Sequence, residues 1–507
     1  MAYRLSVFSN VGLDEALLKL VIDEHSAAAL PRLDKLWTYY RNPLKPVGRG
    51  NPHSHSSPDS PTSRESSGWY TLGQEVGLPQ RVTGRGSSPT DDDRQRTRRE
   101  VVIENDIGWR IQTMIDLMFG KPVKIASIAK NEETKATIER TLDSVWEHSG
   151  GIALLQDAAL LAHVFGHVDL MVSVDEQALK DAARAKMDPA QAAQHIRIEV
   201  IDPRRGIPLL DPADVRRITA YVVHFQRQLN SQVTETWWQR AIGAAPQSPT
   251  RATAASTLIV SGTTRQLYDD RRLTRQENLA WSGGELPIVH IQNLSQPLHY
   301  TGVGEVEPLI PLQDELNTRL SDRANRVALQ CFKMYIAKGI EGFDQAPIGP
   351  GRIWSTDNLG ASVEAFGGDM ASPSEDNHIQ QIRDALDKIS SVPPLAGGVV
   401  QGRIGNLSSA TALRVTLMSA LAKTARKRVT YGRGLTEICR LVLTALDWAG
   451  ALRTDPAERA VRINWPDPVP IDEHDRILAA EGKLRLGVPQ STLLEELGYT
   501  ATDVGVV

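Results

Sequence analysis

The sequence predicts an α+β fold in which long helices follow a β-rich region, laid out along 507 residues. Three observations carry that prediction. Apolar residues recur at the helical period, every three or four positions, through residues 305–332, 373–391 and 409–449. Between VDLMVSV and LPIVHIQN, short β-prone runs follow one another across turn residues. No helix between them is long enough for repeated βαβ units, so antiparallel pairing is expected. The composition, 41% hydrophobic and 23% charged, is that of a folded chain, and the length exceeds what one core holds.

Residues 1–42 form an N-terminal helical segment, in which Leu13, Leu17, Leu18, Val21 and Ile22 share a face. Residues 43–99 are a polar arm or insertion rich in Ser, Pro, Gly and charge. Its apolar content is too small to offset the entropy of ordering, so it is expected to order only against neighbouring subunits. Residues 100–304 make the α+β region. Ile107, Ile111, Met114, Ile115 and Met118 define its first helix, stopped by Gly120 and Pro122. Asn131 is the expected N-cap of a second, with Gly150 and Gly151 past its end. GIALLQDAALLAHVFGH reads as a third helix, and the short strands follow.

In 305–332, Leu309, Leu312, Leu316, Leu320, Ala324 and Val327 form an apolar stripe. Beside it Asn317, Ser321 and Asn325 stand four apart, a polar row that would admit a second helix or a water-filled lumen. Residues 333–372 hold three short strands, KMYIAKG, GRIWSTD and SVEAFGG, with Ile353, Trp354 and Val363 among their apolar members. Helix resumes in 373–391 with Ser372, Pro373 and Glu375 as a capping box and Ile379, Ile382, Leu386 and Ile389 on one face. Prolines and glycines break 392–408. The helix of 409–449 carries Arg414, Lys423, Arg426, Lys427, Arg428, Arg433 and Arg440 against Glu437 alone, a footprint suited to a polyanion or to solvent. Residues 450–507 give a strand and short helices.

No catalytic, cofactor or metal motif emerges. There is no P-loop, G-x-S-x-G elbow, H-E-x-x-H or paired C-x-x-C, which argues against a P-loop packaging motor or helicase. His163 and His167 stand i, i+4 on the expected third helix but lack a third ligand, so packing is the favoured reading. Asp91, Asp92 and Asp93 sit among arginines in the arm and read as a solvated charge run. Trp237 and Trp238 point to opposite faces of a strand, which favours packing over base stacking. Cys331 and Cys439 lie in apolar helical patterns, which suits a reducing cytoplasm. The start MAYRLSVFSN lacks a secretory pattern, and no apolar run reaches the roughly 18 residues needed to cross a bilayer. A net charge of −4 argues against gripping nucleic acid over the whole surface, though not against letting DNA slide past.

The order of parts resembles the portal proteins of tailed bacteriophages, the siphophage type in particular. NDIGWRIQTMIDLMFGKPV, IEVIDPRRGIPLLDPADVRRITAYVVHF, LPIVHIQN, IPLQDELNTRLSDRANRV and GNLSSATALRVTLMSALAKTARKR carry the resemblance, with Ala410 where the family pattern has Gly. It covers roughly residues 100–490 and leaves the arm unaccounted for. It implies a wing at 100–304, a stem of helices 305–332 and 373–391, a clip at 333–372, a tunnel loop at 392–408 and a crown at 450–507. The implied assembly is a dodecameric ring with a channel for double-stranded DNA, at one capsid vertex of the virion and assembled in the host cytoplasm. Leu395, Val399, Val400, Gln401, Arg403, Asn406 and Arg414 would line the channel, and Asn317, Ser321 and Asn325 would face it or pack subunits. Ile353, Trp354 and Val363 would lie where the clip meets the terminase large subunit and then the head–tail adaptor. Major capsid and scaffolding proteins are the other implied partners. Two readings stand beside this one: a metal-dependent DNA-processing enzyme, which needs clustered carboxylates, and another head–tail component, of which adaptors are usually far shorter.

Overall fold

The computed structural model describes residues 3–46, 70–83, 100–229, 252–331, 334–339, 360–366, 372–397, 414–468 and 473–497. The chain divides into two compact units. One comprises Met1–Trp37, Trp109–Glu307 and Ser391–Val507; the other comprises Thr38–Gly108 and Pro308–Ser390.

In the larger unit the expected antiparallel pattern holds. A five-stranded meander runs in the spatial order Arg272–Asn278, Thr264–Asp269, Ala252–Ser261, Asp214–Leu229, Gly206–Asp211. Every neighbouring pair in it is antiparallel. One of its cores joins Val222, Ile259 and Tyr268 to Phe8, Leu13 and Leu18 of the N-terminal segment. There Asp14 caps the helix Glu15–Glu24 by accepting from the Leu17 amide at 2.7 Å. A three-stranded antiparallel sheet orders Ile288–Gln292, His167–Val174 and Ile196–Ile201.

Helix Glu132–Ser149 begins as expected at Asn131, whose side-chain Oδ1 accepts from the amides of Glu133 and Thr134. The third helix is shorter than its sequence suggests. It runs Gly151–Phe165 and ends because Gly166 adopts φ +92°, where a Cβ would sit 2.4 Å from the Gly302 carbonyl oxygen. His167 therefore begins a strand, and the i, i+4 helical pairing of His163 with His167 does not exist. The last long helix is regular over Met418–Ala449 and is closed by Gly450 in the left-handed region. Residues 409–413 of the expected span lie outside the described residues.

The smaller unit holds helices Ile310–Cys331 and Pro373–Ser390, which pack on one another. Arg326 pairs with Glu375, Arg323 with Asp376 at 3.0 Å, and His378 with Glu315 at 3.4 Å. The carboxylate of Glu375 is thus engaged across the helix pair. Between the helices, Met334–Lys338 and Ser362–Phe366 form an antiparallel hairpin in which Val363 stands opposite Ala337. The strand expected at GRIWSTD, with Ile353 and Trp354, lies outside the described residues.

Two pieces of the arm, residues 43–46 and 70–83, are more ordered than its composition suggests. Leu44–Pro46 pairs with Tyr70–Leu72, and a 3-10 turn Gly73–Gly77 and a short helix Gln80–Thr83 follow. The expectation that the arm orders only against neighbours fails for 70–83, because this piece has something to bury. Gln74, Leu78 and Val82 are buried, and Arg81 pairs with Asp322 of the first long helix. The Ser-rich remainder and Asp91 to Asp93 lie outside the described residues.

Candidate functional site

The seven cations of the last long helix do not form one basic face. Their environments differ, and most of their partners come from distant sequence. Lys423 and Lys427 are buried and share the buried carboxylate of Glu305. Lys423 Nζ lies 3.0 Å from Glu305 Oε2, and Lys427 Nζ bonds Glu305 Oε1 while also donating to His163 Nε2 at 2.7 Å. His163 Nδ1 donates to the Ala159 carbonyl at 2.6 Å, which fixes the neutral tautomer with Nε2 as acceptor. Asn293 Nδ2 donates to Glu305 Oε1 at 3.3 Å, and the Glu305 amide donates to the His163 carbonyl at 2.8 Å.

Two ammoniums, one carboxylate and a neutral imidazole leave this buried cluster with one net positive charge. Burial pushes the Glu305 carboxyl up, but the charges of Lys427 and Lys423 outweigh it and hold it far below the carboxylate range. Burial pulls Lys427 down to about 8 against the attraction of Glu305. Burial, with the charge of Lys427 added, pulls His163 down to about 3. His167, packed 5.5 Å from the ring of His290, is pulled down by burial to about 4.

Those two histidines set an acid limit. Both stay neutral in the fold, so the unfolded chain binds more protons once the pH drops below about 6.5. Stability is full above that value and falls as the pH descends toward 4. The expected result is a melting temperature that drops steeply between pH 7 and pH 5, by an amount equivalent to a few kcal/mol. An unchanged melting temperature across that interval would refute it.

The other cations are nearer the surface. Arg414 is half exposed, and its Nη2 donates to Asp467 at 2.7 Å. Arg428 lies over Trp465 at 5.3 Å and donates to the Pro466 carbonyl at 2.8 Å. Arg440 pairs with Glu437 and Glu285. Arg426 and Arg433 are exposed and have no ion pair among the described residues. Of the expected channel residues, Leu395 sits half-buried in the 3-10 turn Pro394–Gly397. Just before it, Arg110 Nη1 donates to the carbonyl of buried Val392 at 2.6 Å. Val399, Val400, Gln401, Arg403 and Asn406 lie outside the described residues, as do Trp237 and Trp238.

The polar row of the first long helix has an occupant within the chain, and its expected lumen or second helix is replaced by the segment 100–104. Asn317 Oδ1 accepts from the Glu104 amide at 3.0 Å, and its Nδ2 donates to Gln74 Oε1 at 2.9 Å. Ser321 Oγ accepts from the Val102 amide at 3.0 Å. Asn325 accepts from the Glu100 amide and donates to its carbonyl, both at 2.8 Å. The row begins one turn earlier than the sequence reading placed it. Gln313 donates to the Glu104 carbonyl at 2.5 Å and accepts from the Ile107 amide at 3.2 Å. An extended segment needs a partner for every second peptide unit, and side chains four apart on a helix supply it. The same spacing would have pointed to Gln313. Nothing in the sequence set Glu305 apart from the neighbouring acids Glu307, Asp314 and Glu315.

Among the described residues, no group of three or more His, Cys, Asp or Glu could hold a metal ion, and no helix is long and apolar enough to cross a membrane.

The family model described as "Phage portal protein, SPP1 Gp6-like" matches residues 20–502. The chain belongs to that family. It is a portal protein, a structural component of the virion that provides the channel for double-stranded DNA in packaging and ejection. Among curated proteins none matches it. Solved structures similar to it include the neck of an empty GTA particle computed with C6 symmetry, 14% identical at a TM-score of 0.43, covering 78% of this chain and 90% of that one. The virion of a native gene transfer agent particle is 13% identical at 0.39, covering 83% and 98%. The neck of a native GTA particle computed with C12 symmetry is also 13% identical at 0.39, covering 77% and 89%.

Proposed function

We infer that twelve or so copies of this portal protein close a ring at one capsid vertex, with DNA passing through the loop 392–408. The observation that supports the reading is the order helix, β-hairpin, helix, Gly/Pro loop and long helix in a member of the portal family. The clip at 333–372, with Ile353, Trp354 and Val363, meets the terminase large subunit during packaging and the head–tail adaptor afterwards. Major capsid and scaffolding proteins hold the ring in the shell, and assembly takes place in the host cytoplasm. Its role is mechanical and electrostatic, without catalysis.

A conduit differs from a DNA clamp in how much positive charge it exposes. Duplex DNA carries about one negative charge per 1.7 Å of axis, and each phosphate contact adds salt-dependent affinity. Ring symmetry turns one arginine into a circle of them, so a passage wants few free cations. Arg414 fits that demand, since Asp467 offsets its charge. Arg403 carries the loop's own charge. Particles bearing Arg403→Ala together with Arg414→Ala should package or retain severalfold less genome, read as encapsidated DNA per particle. Wild-type DNA content in those particles would sink the assignment.

A further inference from the structure

Among the described residues, the last long helix leaves one side uncovered. Met418 and Val429 are 65% and 55% exposed, Ala422 and Ala425 are exposed between them, and Gly432 continues the line. At 100° per residue these positions fall within a single arc, with Arg426 and Arg433 along one edge. Small residues in the middle of the arc let another helix approach closely. The two arginines stand about 10 Å apart along the axis.

The same unit carries a complementary helix. On Glu132–Ser149, the positions Glu132, Ala136, Asp143 and Glu147 share one outward arc, and half-buried Glu139 stands at its margin, one carboxylate oxygen accepting from the Ser127 amide at 2.8 Å; among the described residues Glu139, Asp143 and Glu147 have no ion pair. Crowding there is unfavourable: burial, then the charges of Glu139 and Glu147, push the Asp143 carboxyl up. The spacing from Glu139 to Glu147 spans about 12 Å, close to that of the two arginines.

A cyclic assembly joins copies head to tail, so each copy must offer two different, mutually complementary patches. We propose that the Met418–Val429 face of one copy, with Arg426 and Arg433, docks on the acidic face Glu139–Asp143–Glu147 of a second copy of this chain. The proposal rests on the ring reading above and names the surfaces that would close it. Apolar and small side chains would be covered in the middle, and the charges at the edge would fix partner and register.

Charge reversal tests it in the full-length protein, with ring formation scored by electron microscopy and sedimentation. Arg426→Glu with Arg433→Glu should reduce the ring fraction tenfold or more, and Asp143→Arg with Glu147→Arg should do the same. Combining all four substitutions in one chain should restore most of the rings. Circular dichroism of each variant separates lost assembly from lost fold, and the milder Arg426→Ala with Arg433→Ala should give a smaller loss in the same direction. If the wild-type chain forms rings and either reversal leaves them intact, the proposal fails while the ring reading stands. Absence of rescue in the fourfold variant also overturns it. If the arginine reversal spares the rings but particles lose DNA, the face contacts nucleic acid instead. A wild-type chain that forms no rings overturns the ring reading and this proposal together.

Discussion

Glu305→Ala is expected to destabilise the larger unit by about 3–5 kcal/mol, the cost typical of breaking a buried ion pair by removing one partner. The carboxylate is only 5% exposed and is the shared counter-charge of Lys423 and Lys427. Without it, two ammoniums remain in an environment that already disfavours one of them, as the depressed pKa of Lys427 shows. Asn293 also loses an acceptor. Denaturant unfolding followed by tryptophan fluorescence would read the loss as a lower midpoint with an unchanged slope. A control distinguishes charge from packing. Glu305→Gln combined with Lys427→Met removes one charge of each sign, so the cluster keeps its net single positive charge and no second ammonium is stranded. That pair should recover at least half of the loss. If Glu305→Ala unfolds at the wild-type midpoint, the cluster contributes nothing measurable.

How far the sequence reveals this molecule depends on the range of the interaction concerned. Local signals read through well: the Asn131 cap, the stripe Ile107, Ile111, Met114, Ile115 and Met118, and the antiparallel runs between His167 and Gln292 are matters of spacing within one element. The end of the third helix at Gly166 was harder, because the glycine is required by the approach of Gly302, more than a hundred residues on. The partners of the long helix's cations were out of sight for the same reason. Counting its cations along the chain gave a basic surface, yet Glu305, Asp467 and Glu285 reach it from elsewhere. What remains exposed and unpaired among the described residues is Arg426 and Arg433. The polar row was visible as a period of four. Its partner, the segment 100–104, was not, since a segment outside any helix or sheet that is held by side chains leaves no pattern of its own.

That row gives the second large effect, in the smaller unit. Asn317→Leu should cost about 3–4 kcal/mol, because it removes the partner of buried Gln74 Oε1 and one acceptor each from buried Gln313 Nε2 and the half-buried Glu104 amide. Each such loss is typically worth about 1–3 kcal/mol. Leucine is close in size, so the penalty is one of hydrogen bonding more than of volume. Asn325→Ala, at the partly exposed end of the row, should cost under about 1 kcal/mol since water can replace its bonds. The gradient along one helix face is the informative part. Hydrogen exchange gives a direct readout at the Glu100, Val102 and Glu104 amides, which donate in turn to Asn325, Ser321 and Asn317. Asn317→Leu should abolish protection at Glu104 and reduce it at Val102, whereas Asn325→Ala should affect Glu100 alone. Equal protection of all three amides in both variants would mean that packing, and not the polar row, holds the segment against the helix.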